Sequence, residues 1–274
     1  MTPEHLATLA ALATTLTLLA LVQQLARGAT GALVQRFGWS AVPWTTGWLG
    51  VPIHELSHAL ACLLTGRRVR AVQLFAPNER DGSMGSVTYE TGPHIIGWLS
   101  GCVIGLAPLA GGTGALYGLA WLVAHAADVP LPTPAATAAA AGDSPWLAGA
   151  FAHADFAAVA GRQLLHAAAV LWRQGGWQRA AAVAWCYASA CVAAHLVPSR
   201  VDIAGAWRGA LLFLALAAAL VAASLRFQPS WLAVAEPAVR VLCAWVSSGL
   251  TLAAAWLAGV WLLVAVLARV LPGR

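Results

Sequence analysis

Residues 39–65 form an apolar run of membrane-spanning length in which only three side chains can carry charge: His54, Glu55 and His58, written HELSH. In a bilayer core every backbone N–H and C=O must be satisfied from within, so such a run has to fold as a helix. A charged side chain placed at mid-bilayer costs about 2.5–3.5 kcal/mol on insertion scales, which makes such groups functional by default. The spacing His-Glu-x-x-His accounts for all three at once.

Composition extends this constraint to the whole chain. Of 274 residues, 60% are hydrophobic and 9% charged, against about 25% charged in soluble domains. That deficit argues against a soluble enzyme. Six apolar runs reach roughly the 17–25 residues needed to cross a bilayer: residues 6–25, 39–65, 95–124, 180–197, 209–225 and 241–268. Tryptophans 39, 44, 177, 207 and 231 near their ends fit an interfacial aromatic belt. The expected fold is an all-α polytopic membrane protein with about six transmembrane helices, multi-pass in a bacterial cell membrane. One membrane-embedded body is expected over residues 1–274, with a core at 39–124 and 177–208 and an extramembrane part at 126–175. The start, MTPEH, lacks a positive n-region and its apolar run is too long for a signal-peptide core, so it reads as a retained helix.

The charge of +5 comes from 15 basic residues, all arginine. They stand singly apart from Arg67, Arg68 and Arg70, so no patch points to nucleic acid. Cys62, Cys102, Cys186, Cys191 and Cys243 lie inside apolar runs with no metal or redox spacing and read as small buried hydrophobes.

Two runs carry helix breakers, Pro43 and Pro52 in the second and Pro108 with Gly111-Gly112 in the third. Breakers free backbone groups that a neighbour or a cavity must satisfy. They suggest either local access for water or an extended peptide, or a packing kink. Between these runs the pattern changes to VRAVQLF and SVTY around APNERDGSMG, which predicts a short β-hairpin. The Ala/Pro-rich stretch 126–150 reads as a linker, and 151–172 as an interfacial helix before the fourth span.

On a helix, positions i and i+4 share a face about 6 Å apart along the axis. His54 and His58 can therefore offer ring nitrogens to one Zn2+, and Glu55 beside them can serve as a base. For 8 His in 274 residues, a chance HExxH is expected about 0.4% of the time. A catalytic zinc site needs a third protein ligand and one open position. Asp202, in HLVPSRVDIAG after the fourth run, leads, and His195 competes, with a possible role beside the ligands or as an oxyanion donor. His94, His125, His153 and His166 read as interfacial or surface residues.

IHELSHALACLLTGRRV followed by HLVPSRVDIAG resembles the site-2 protease family of intramembrane zinc metalloproteases. The resemblance covers residues 44–124 and 180–206. It implies zinc on His54, His58 and Asp202, Glu55 as catalytic base, a membrane-embedded hairpin after the HExxH helix, and a site toward the cytoplasmic face. The partners implied are a transmembrane protein or peptide substrate and the lipid bilayer. The chain departs from the family pattern in three places. His195 stands where asparagine is usual, the interval from Pro198 to Asp202 is one residue short, and DIAG replaces Asp-Gly. A divergent branch with a Pro-Ser-x-x-Asp turn is the expected reading. The alternative from the residues alone is a non-enzymatic metal-binding multi-pass membrane protein, regulatory or transporting. A closed structural site would require a fourth protein ligand.

Overall fold

The computed structural model describes residues 3–90, 94–131, 146–227 and 232–270. It is mostly helical, with a small two-stranded sheet. Helix α1, Pro3–Phe37, leads into a single π-helical turn, Pro43–Gly47, and then α2, Trp48–Leu64. Strands β1, Val69–Gln73, and β2, Ser86–Tyr89, follow, and then α3, His94–Ala126. The remaining helices are α4 (Trp146–Gln174), α5 (Gly176–His195), α6 (Arg200–Phe227) and α7 (Leu232–Val270).

The core lies where α1, α3, α5 and α7 meet: Val22 and Ala26, Leu109 and Leu116, Val192, and Leu250 and Leu257 are all buried. Helix α2, the HELSH helix, packs between α3 and α5. Its C-terminus closes with Gly66 at φ 68°, where Gly66 N–H donates to the Leu63 carbonyl and Arg67 N–H to the Cys62 carbonyl at 2.7 Å. This paired closure needs a left-handed residue, which glycine supplies at no steric cost. The chain can then turn directly into β1.

β1 and β2 pair antiparallel with Val72 opposite Val87 and Gln73 opposite Ser86, and the register shifts by one residue between Val69 and Ala71. Val87 and Tyr89 pack with Val69 onto Ala61, Cys62 and Ile104, seating the sheet on α2 and α3.

Fewer than six spans are established, and one expected break is absent. Among the described residues, two helices are long and apolar enough to cross a membrane, Ile95–Ala126 and Ala238–Val266, or three if the bent pair Gly176–His195 and Arg200–Phe213 counts as one span. The HELSH helix, of 17 residues, continues toward its N-terminus without a break through the π-turn Pro43–Gly47. The fourth and fifth expected spans meet at a 58° bend. Side chains of the fifth run are only partly described beyond residue 213.

The third run is not interrupted, because α3 passes unbroken through a buried Pro108. Its glycines serve close packing: Gly111 lies against Ser57 of α2, and Gly112 against Leu196. The linker expected at 126–150 falls largely outside the described residues. The helix expected at 151–172 sits within the longer α4. All five cysteines are free thiols, four buried and Cys186 half-buried.

Candidate metal centre

Two histidines from one helix and an aspartate from the start of another converge under the sheet. His54 and His58 stand one turn apart on α2, with Nε2 atoms 3.2 Å apart. Asp202 is in the first turn of α6. Its Oδ1 lies 3.1 Å from His58 Nε2 and its Oδ2 3.4 Å from His54 Nε2. Their side chains are 12%, 7% and 17% exposed, so the trio is shielded but reachable.

Both rings are turned the same way by backbone carbonyls. His54 Nδ1 is 2.7 Å from the His195 carbonyl oxygen, and His58 Nδ1 is 2.7 Å from that of Ile104. Carbonyls only accept, so in the neutral rings each Nδ1 carries the proton and each Nε2 presents its lone pair. Two lone pairs and a carboxylate thus face one point with no donor among them. A cation relieves that arrangement. With zinc–ligand bonds of about 2.0–2.1 Å in a tetrahedron, neighbouring ligand atoms stand about 3.3 Å apart. The measured separations of 3.1–3.4 Å fit. The donor set, two imidazoles and a carboxylate, is chemically suited to zinc.

Asp202 is itself held. Ser199 N–H donates to Asp202 Oδ2 at 2.7 Å, and Asp202 N–H donates to Ser199 Oγ at 3.2 Å. This reciprocal pair is a capping box, Ser at the N-cap and an acid three residues on, and it starts α6. The Pro-Ser-x-x-Asp spelling, which departs from the expected turn, is therefore a complete helix start in its own right.

Glu55 follows His54 on the helix, is buried and lines a cavity of about 620 Å³ together with His54, His58 and Asp202. It forms no hydrogen bond or ion pair with another described residue. The loop between the strands closes over this cavity. Ala76 N–H donates to the Met84 carbonyl, and Asn78 N–H to that of Ser83. Phe75 meets Trp44 of the π-turn edge to face at 5.6 Å. Hydrogen bonds from the side chain and N–H of Ser83 hold the Asp81 carboxyl below its usual range. At Gly85 an added Cβ would come within 2.7 Å of Glu55 Cγ and 2.9 Å of the Gln73 carbonyl, so only glycine lets the loop lie this close.

His195 stands outside the converging trio. Its backbone carbonyl orients His54, while its ring Nε2 lies 3.1 Å from Thr46 Oγ1 of the π-turn. Gly50 of α2 makes room for that ring: a Cβ there would approach His195 Cδ2 to 2.6 Å. His125 and His166 are exposed, and the side chains of His94 and His153 lie outside the described residues.

Sequence reasoning missed the parts that bring Asp202 to the histidines. Gly101 and Gly105 of α3 face Gly205, Asp202 and Ala206 of α6, and a Cβ on Gly105 would lie 2.6 Å from the Asp202 carbonyl oxygen. The signal was available as two small-x-x-x-small patterns, GCVIG at 101–105 and GAWRG at 205–209. Thr46 and Ser199 were missed too. Ser199 could have been found from its capping spacing.

An HExxH helix with an acid from a separate helix, set in an apolar helical bundle, defines a metallopeptidase-like centre. Residues 18–127 match the Peptidase M50B-like family, which is the site-2 protease family. The matched stretch takes in the HELSH helix, the sheet and α3. It ends before Asp202, whose proximity to the two histidines is read from the coordinates alone. No curated protein and no solved structure matches the chain.

Proposed function

We propose that this protein is an intramembrane zinc endopeptidase that hydrolyses a peptide bond in or near the transmembrane segment of another membrane protein. The observation that carries the reading is the set of 3.1–3.4 Å separations among His54, His58 and Asp202, with Glu55 beside them on the cavity wall. Three ligands leave one tetrahedral position for solvent or substrate, as catalytic rather than structural zinc sites do.

In this reading His54, His58 and Asp202 hold the metal, each fixed by a backbone partner. Zinc, when bound, supplies a Lewis acid that polarises a peptide carbonyl and makes water acidic near neutral pH. Glu55 takes the proton of the attacking water and passes it to the leaving amine as the C–N bond breaks. The chain's own contribution to His54 comes through the His195 carbonyl. The His195 ring is engaged by Thr46 at Nε2, and it donates to a substrate oxygen only in the form with its proton on Nδ1.

A helical substrate conceals its carbonyls in its own hydrogen bonds and must unwind to be cut. The outer edges of a two-stranded sheet beside the cavity can hold an extended peptide by main-chain pairing. Six spans in a bacterial cell membrane complete the reading. The six runs of residues 6–268 support that number, with α2 extended by the π-turn before it.

The test is Glu55→Gln in the full chain. Zinc is expected near one per chain in both forms, with cleavage of a model transmembrane substrate lost only in the variant. Undiminished cleavage by the variant would remove Glu55 as the base.

A further inference from the structure

A second cavity, of about 580 Å³, lies on the other side of the α5–α6 connection, between it and α1. Its polar lining comes from two directions: Gln23, Arg27, Thr30 and Gln35 from α1, and Ser199 and Arg200 from the connection. No acidic residue lines it. Arg27 and Arg200 are exposed, and neither makes an ion pair, hydrogen bond or ring contact with a described residue. Two guanidinium groups with no counter-charge, converging on one concavity with amide and hydroxyl donors, match the oxygens of a phosphate group. A phospholipid headgroup and free phosphate both present such oxygens.

We propose that this cavity binds a phosphate-bearing anion through Arg27 and Arg200. Ala194, Val197 and Ser199 line both cavities, so the two share the connection as a common wall. That wall includes the carbonyl that orients His54 and the serine that holds Asp202. Occupancy by the anion braces the wall from behind. The site does not depend on whether the chain cleaves peptides.

The test uses the full chain in detergent with the Arg27→Gln/Arg200→Gln double variant. The control is Arg173→Gln, at the end of α4. Two probes are added separately: micelles doped with phosphatidylglycerol, with phosphatidylcholine as the uncharged comparison, and inorganic phosphate. A ligand of the folded state raises the thermal midpoint by mass action. The wild type and the control are expected to gain several degrees with phosphatidylglycerol, with the gain absent in the double variant and with phosphatidylcholine. The same variant-sensitive gain with inorganic phosphate alone would support the site and make its ligand a free anion. An equal gain in the double variant with either probe, or no gain in the wild type with both, would overturn it. Native mass spectrometry of retained lipid gives an independent reading, with at least about tenfold less phosphatidylglycerol expected on the double variant; equal retention would also overturn the site.

Discussion

Ser199 and Asp202 hold each other by the hydrogen bonds that begin α6, so the helix start and the acid's aim are one structure. Replacing an N-cap serine by alanine typically costs about 1 kcal/mol, and removing a partner of a metal ligand typically weakens metal binding about 10–100-fold. Ser199→Ala is therefore expected to unfold at a lower temperature and to lose zinc at least about tenfold more readily to a competing chelator. Unchanged zinc retention would mean that the cap does not orient Asp202. The third-ligand question has a direct comparison. Asp202→Ala is expected to purify with little zinc, whereas His195→Ala, which leaves the orienting backbone carbonyl in place, is expected to keep it. The reverse order, by metal analysis of both variants, would make His195 the ligand. The histidine pair and Glu55 were legible in the chain because HExxH is a local pattern with one helical geometry. The role of His195 was not, because the group that matters is its carbonyl, which every residue has.

At the scale of elements, the α3–α6 crossing sets where Asp202 arrives. Gly105 leaves no room for a Cβ beside the Asp202 carbonyl, and Gly101 leaves little beside that of Gly205. Gly105→Ala forces backbone apart, an overpacking cost typically of about 1–3 kcal/mol. Its expected signature is a lower thermal midpoint together with reduced zinc content, whereas Gly118→Ala, on an open part of α3, should change neither. Loss of stability with full zinc content would separate the crossing from the site. The strand pair could be read from its β-branched alternation and turn residues. The unbroken α3 could not, since a proline and a Gly-Gly pair spell interruption and close packing alike until the neighbouring helix is known.

For the whole molecule, the site joins α2, α6 and the end of α5 through side chains and one carbonyl. A bound ion adds its differential affinity to folding stability. Stripping zinc with a chelator is thus expected to lower the thermal midpoint by several degrees, reversibly on readdition, while the His54→Ala variant, without a full ligand set, should show little response. An equal response in that variant would place the stabilising metal elsewhere. The membrane-embedded class was legible in composition. The number of spans was less so, because a helix that carries a metal site and a π-turn, and a pair of helices meeting at 58°, are not simple apolar rods.

Zinc K-edge X-ray absorption of the purified protein tests the central claim most directly, since it reads the ion's immediate neighbours. The expected shell is four light atoms at about 2.0–2.1 Å with the multiple-scattering pattern of two imidazoles, falling to one imidazole in His58→Ala. A sulfur neighbour at about 2.3 Å, or an unchanged shell in His58→Ala, would contradict the centre described for His54, His58 and Asp202.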